Sequence, residues 1–183
     1  MSEYGFGAPL KEEEFVFGAQ RPGFPGIFVQ KQVVDEWIAY MKKQGIVRII
    51  CLLSEEELGS YPTLTSGLLG IYAETFGPDN ILWAPTPDKR LLSGEAIKHI
   101  CYFLHAAVAQ GQKTVVHCSA GLGRTGQVLA AWLVYHYNLT ERKAIKAEDE
   151  LNRFPMEAVF YRNASEADLL QVLGVARELD KPV

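Results

Sequence analysis

Val115-Val116-His117-Cys118-Ser119-Ala120-Gly121-Leu122-Gly123-Arg124-Thr125-Gly126 is the stretch that decides how this chain of 183 residues folds. An apolar run reads as a buried strand from Thr114 to Cys118. A loop of small residues follows, a helix opens near Arg124, and Gly126 to Tyr137 is apolar nearly all round, as a buried helix is. Gly121 and Gly123 tolerate positive φ, so the loop can curl with its N–H groups facing one centre, a nest for the oxygens of an anion. The helix start adds unpaired N–H groups and a positive dipole end at the same point. That field and nearby cations favour a thiolate on Cys118, the nucleophilic form of cysteine. Arg124 offers a planar fork able to grip two oxygens of a phosphoryl group, which a lysine cannot match. The stretch reads as an anion cradle with a nucleophile at its floor.

The rest of the chain is organised around it. Glu14-Phe15-Val16-Phe17 and Ile27-Phe28-Val29 read as short strands separated by the Arg21-Pro22-Gly23 turn. Val33, Val34, Trp37, Ile38 and Met41 recur at helical spacing up to Gly45, a C-terminal cap. Val47 to Leu53 is a continuous apolar run, the mark of a strand buried on both faces. Ser54-Glu55-Glu56-Glu57 is a capping box opening a short helix, and Leu64, Leu68, Tyr72 and Phe76 stripe the next one. Asn80 to Pro85 reads as a short strand, Ser93 to Gln110 as a helix, and two further helices are expected near Thr140 to Asn152 and Ser165 to Leu179. Strands alternating with helices predict an α/β fold, a central, mostly parallel sheet of four to five strands with helices on both faces.

The chain is 48% hydrophobic, long enough to bury one substantial core. It is expected to form one domain over residues 14–183, preceded by a flexible tail over 1–13 that has no apolar h-region of a signal peptide. No run approaches a membrane span. A net charge of −4 gives no basic footprint for nucleic acid or anionic lipid. The three cysteines, Cys51, Cys101 and Cys118, have no paired spacing and indicate a reducing cytoplasm. The four histidines lack metal-ligand spacing, so neither a metal nor a cofactor is expected.

His117-Cys118, five residues, then Arg124-Thr125-Gly126 resembles, without a gap, the signature loop of the protein tyrosine and dual-specificity phosphatase superfamily. The resemblance implies a compact dual-specificity-like phosphatase of microbial type and a two-step mechanism through a phosphocysteine. Carried over by position, Cys118 is the nucleophile; Arg124 and the amides of Ser119, Ala120, Gly121, Leu122 and Gly123 bind phosphate. Thr125 assists departure of the thiolate, and His117 orients and tunes the cysteine. Protonation of the leaving oxygen requires an acid. Asp88 fills that role, in a Pro85-Thr86-Pro87-Asp88 turn closed by Ser93, as the family's Pro-x-Pro-Asp-like loop implies. Asp79 is the reserve candidate, weakened by its position before the strand.

Arg153, in the stretch Asn152 to Val159 that resembles a late segment of microbial members, is read either as facing the cleft or as closing a helix C-terminus. Neither Gln127 nor Gln171 stands in the context of a water-positioning glutamine. The implied substrates are phosphorylated proteins or peptides, phosphotyrosine first, with phosphoserine and phosphothreonine as further candidates. Small-molecule, inositol-lipid or RNA 5′-phosphates are the alternatives on the same chemistry, and a non-catalytic phospho-residue binding module is the alternative of another class. The sequence is silent on oligomeric state.

Overall fold

A computed structural model describes residues 3–181; positions 1 and 2 of the expected tail, and 182 and 183, lie outside the described residues. The strands are β1 (Val16–Gln20), β2 (Ile46–Cys51), β3 (Ile81–Trp83) and β4 (Lys113–Cys118), in the order β1-β4-β2-β3 and parallel throughout. The sheet therefore has four strands. Ile27 and Phe28, expected in a further strand, are 69% and 78% exposed in a loop, and Val29 N–H donates instead to the Ser60 carbonyl. A short apolar triplet has no extended pairing of its own, and here the Arg21–Pro22 turn carries it away from the sheet edge.

The apolar runs in β2 and β4 are continuous because both faces are covered. Side chains alternate along a strand, so Ile49, Cys51 and Val115 enter one core while Ile50, Leu52 and Val116 enter the other. The first core is closed by α1 (Lys31–Lys43) and α3 (Gly67–Phe76), through Trp37, Met41, Leu68 and Tyr72. The second is closed by α4 (Gly94–Ala109), α5 (Gly123–Tyr137), α6 (Glu141–Glu150) and α8 (Glu166–Val175). Full burial of a leucine such as Leu104 or Leu133 contributes about 1.5–3 kcal/mol. Two helices of four residues complete the fold, α2 (Glu55–Leu58) packing Leu58 against the first core and α7 (Glu157–Phe160) packing Val159 against the second, and the sequence pattern did not announce α7.

Residues 3–13, expected to be a loose tail, lie against this framework. β1 is an edge strand with backbone groups open to pairing. Gly7 pairs antiparallel with Gly18, and Phe6 stacks on Phe17 at 4.8 Å. Glu13 is buried, accepting from Trp132 Nε1 at 2.6 Å and from the N–H groups of Phe15 and Val16. Its tie to α5 was not legible in a polar N-terminal composition.

Parallel pairing brings the C-terminal ends of all four strands to one edge. Gln20 stands opposite Cys118, Cys51 opposite His117, and Trp83 opposite Cys51. Loops leaving that edge surround Cys118. Asp79, in the 3-10 turn that precedes β3, is at the other end of the sheet.

Candidate active site

The cradle starts where β4 stops. Cys118 is nearly buried as the last residue of the strand. Gly121 turns the loop with φ +71°, and a Cβ there would come within 2.6 Å of the Ala19 carbonyl oxygen, so both the conformation and the space require glycine. α5 begins at Gly123, one residue before the start expected near Arg124, with no side-chain cap on its N-terminus. The N–H groups of Ala120, Gly121 and Leu122 have no partner among the described residues. The same holds for two buried side-chain donors, Arg124 Nε and Thr125 Oγ1. Unmet donors gathered at a helix start are an anion site in waiting.

Arg124 is 1% exposed and held from two sides. Glu57 takes it in a bidentate pair, with Nη1 to Oε2 at 2.6 Å and Nη2 to Oε1 at 2.8 Å. Carbonyls of Leu52 and Thr86 accept from Nη1, and Asp88 Oδ1 accepts from Nη2 at 2.9 Å. Glu57 also completes the capping box expected at Ser54, its Oε2 accepting from the Ser54 N–H at 2.9 Å. Burial works against its charge, yet the hydrogen bonds from Arg124 and Ser54 hold its carboxyl below the ordinary range. The sequence pattern showed the cap and missed the second task of the same carboxylate. The only hint was a Ser-x-x-Glu placed directly after a buried strand.

His117 is fully buried in the first core, in edge contact with Trp37 and Tyr72. Its Nε2 lies 3.2 Å from the Tyr72 hydroxyl and its Nδ1 3.3 Å from the Cys118 carbonyl. Burial pulls its pKa down to about 4, so the ring is neutral at pH 7. One tautomer satisfies both contacts: Nδ1–H donates to the carbonyl and Nε2 accepts from Tyr72. A neutral ring can orient the cysteine backbone but brings no charge to the thiolate. Tyr72, read from the sequence as part of a helix stripe, is the group that fixes that tautomer.

Other candidates fall into place around the cradle. Ser119 is anchored by Arg21, whose N–H donates to the Ser119 carbonyl and whose Nε donates to its hydroxyl at 3.1 Å. Arg153 does not face the cleft. It is buried behind the loop, where Nη1 donates to the Gly121 carbonyl at 2.5 Å and Nη2 reaches the Gly7 carbonyl at 3.2 Å. Gln127 is a buried tie between α5 and the segment after Asp88, accepting from Leu92 N–H at 3.0 Å and donating to the Arg90 carbonyl. Gln171 is exposed on α8. Cys51 is fully buried and its thiol is pushed up to about 12 by burial, the setting of an inert core residue. All three cysteines are unpaired. Among the described residues no cluster of His, Cys, Asp and Glu could hold a metal ion, and no helix is long and apolar enough to cross a membrane.

The chain resembles known proteins in sequence and in fold. The chain is 44% identical over 43 residues to the dual specificity protein phosphatase CDC14AB of Danio rerio, and 40% identical over 52 residues to the phosphatidylglycerophosphate phosphatase PTPMT1 of Arabidopsis thaliana. These matches cover 24% and 28% of this chain but only 7% and 15% of the two relatives. A solved structure of a mutant form of Tk-PTP superposes with a TM-score of 0.64 at 23% identity, covering 92% of this chain and 93% of that one, so the fold is shared. The profile of a family described as "Polymorphic toxin system, DSP-PTPase phosphatase" matches residues 27–138, more than half of the chain. The chain belongs to that family of dual-specificity-type phosphatases, within the cysteine-dependent protein tyrosine phosphatase superfamily.

Proposed function

We propose that this protein hydrolyses phosphorylated side chains of proteins or peptides, phosphotyrosine first and then phosphoserine and phosphothreonine, in a cytoplasmic setting. The observation that carries the reading is the group of unmet donors on the cradle: the loop amides, Arg124 Nε and Thr125 Oγ1. A phosphoryl group seated there meets those donors with its oxygens while Cys118 Sγ attacks phosphorus from the floor. The P–O bond to the leaving group breaks, and the oxygen takes its proton from Asp88. Water then attacks the phosphocysteine and passes a proton to the Asp88 carboxylate left by the first step, the P–S bond breaks, and phosphate leaves as the thiolate is restored, with Thr125 donating a hydrogen bond to the sulfur. Asp88 stands on the correct edge of the sheet for this role, and its 52% exposed side chain leaves it free to exchange Arg124 for a substrate oxygen.

Exposed apolar groups on loops of the same edge, among them Phe28 and Leu122, offer a wall for an aromatic ring. Phosphate-bearing lipids form the second reading, favoured by the name of the Arabidopsis relative. The loop argues for singly phosphorylated groups, since Arg124 is its only formal charge and several clustered phosphates would lack cationic partners.

Turnover of an aryl phosphate in the presence of chelator, with phosphotyrosyl peptides and trisphosphorylated inositol lipids compared at matched salt and pH, tests both levels. Cys118→Ser should abolish turnover while retaining vanadate binding, and the peptides should show the higher kcat/KM. Full activity of the serine variant would refute the thiolate mechanism. Faster cleavage of the inositol lipids would reassign the substrate and leave the chemistry standing.

A further inference from the structure

A curled loop binds an anion only while its N–H groups face inward, and that depends on where its carbonyls go. A trans peptide is planar with C=O and N–H pointing in opposite directions, and the loop peptides are trans. A donor that holds a carbonyl from outside therefore aims the next residue's N–H into the cradle. The Ser119 carbonyl accepts from Arg21 N–H at 3.1 Å, which sets the N–H of Ala120. The Leu122 carbonyl accepts from Gly126 N–H at 2.9 Å and Phe154 N–H at 3.3 Å, which sets the N–H of Gly123 as a helix start does. Between them, the peptide joining Gly121 to Leu122 depends on a side chain: Arg153 Nη1 donates to the Gly121 carbonyl at 2.5 Å. Glycine on one side gives that peptide the widest freedom to rotate, so it needs the tie most.

The surroundings of Arg153 are shaped for this reach. Its guanidinium is buried, with Nη2 donating to the Gly7 carbonyl at 3.2 Å and Nε 3.4 Å from Glu148 Oε2. Gly18 stands in the middle of β1, where glycine weakens a strand. A Cβ there would lie 2.6 Å from the guanidinium carbon of Arg153 and 2.8 Å from Cγ2 of Thr125, so the missing side chain is the space the arginine occupies. We infer that Arg153 is a positioning residue for phosphate binding, aiming the Leu122 N–H into the cradle from behind. As a cation on the carbonyl of the same peptide, it also polarises that N–H into a stronger donor, whereas the Ala120 N–H is set by a neutral backbone contact. The inference deepens the phosphate-binding reading given above and rests on it.

Amide NMR of the isotope-labelled full chain, titrated with inorganic phosphate, tests it residue by residue. In the wild type, saturating phosphate should shift both the Ala120 and Leu122 amide protons downfield. Arg153→Met should keep the Ala120 response, lose most of the Leu122 response, and raise the Kd for phosphate about tenfold. Arg153→Lys, with one ammonium able to reach the Gly121 carbonyl, should restore part of both losses. A Leu122 response of wild-type size in the methionine variant overturns the inference. So does an equal loss at Ala120 and Leu122, the signature of a general disturbance of the loop. If Arg153→Met does not fold, Gly18→Ala, which pushes the guanidinium aside, and Arg153→Lys decide by the same comparison of the two amides. A wild-type chain in which phosphate moves neither amide would overturn the cradle reading itself, an outcome distinct from the other two.

Discussion

Two arginines are buried on opposite sides of the same loop, and their surroundings could hardly differ more. Arg124, in the cradle, is held at both Nη atoms by Glu57, Asp88 and two carbonyls, every one at hydrogen-bonding distance, while its Nε has no partner among the described residues. Arg153, at the back, donates to the carbonyls of Gly121, Gly5 and Gly7 and meets its carboxylate, Glu148, only at 3.4 Å. Neither oxygen of Glu148 has a hydrogen bond. Burial outweighs the charge of Arg153 there and pushes the Glu148 carboxyl up to about 8. The front arginine is therefore held by charge, partly through an exposed and exchangeable Asp88. The back arginine is held by backbone, in a place where nothing needs to move. The difference teaches that one side of the loop is arranged for exchange of partners and the other for permanence.

Substitution at the front should change rate and spare stability. Asp88→Asn keeps a hydrogen-bonding group beside Arg124 but removes the acid, and kcat on phenyl phosphate should fall by about 10²–10⁴. The fall should shrink for leaving groups that need no proton, while the melting temperature stays near that of the wild type. Near-native turnover on phenyl phosphate would remove Asp88 from the mechanism. Asp79 offers no ready replacement, since it lies at the far end of the sheet.

At the back the pattern should reverse. Arg153→Met removes the donor to Gly121 and to the N-terminal segment, and denaturant unfolding should show a loss of about 1.5–3 kcal/mol, typical of hydrogen bonds from a charged group. Vacant space behind the loop accounts for a further rise in KM for phosphate esters. A variant of unchanged stability would mean that the loop and residues 5–7 hold their places without this tie.

The smallest effect, and the one most specific to the back, is on pH dependence. In the unfolded chain Glu148 titrates near the ordinary value of 4.5, and in the folded chain near 8. Between these values the folded state binds more protons than the unfolded one, so the stability contributed is complete below pH 4.5 and is lost as pH rises through 8. Glu148→Gln should match the wild type at pH 5 to within about 1 kcal/mol and become progressively the more stable of the two towards pH 8. A difference independent of pH in chemical unfolding would show that Glu148 is ionised beside Arg153 throughout.

Much of this arrangement was written locally. The strand, the loop and the arginine occupy adjacent positions, so their spacing alone indicated an anion cradle, and the capping box at Ser54 was visible because all its members lie within four residues. What escaped was the partnership between distant segments. Glu57 lies 67 positions from Arg124, and a residue that satisfies a cap gives no outward sign of a second bond. Arg153 had two readings and proved to have a third, because its acceptors are main-chain carbonyls that carry no signature in sequence. The triplet at Ile27 failed for a related reason: its β propensity is real, but no neighbouring strand is available to pair with it.

By itself the sequence determined the alternation of strands and helices, the doubly buried strands and the strand-loop-helix form of the cradle, because periodicity, glycine placement and helix polarity act over a few residues. Only the tertiary structure decided which carboxylates surround Arg124, that His117 is neutral and tied to Tyr72, that Gln127 is a brace, and that Glu157 stands unpaired over Gly123. Those outcomes depend on which side chains a parallel sheet brings to one edge, and on how far burial there suppresses or sustains charge.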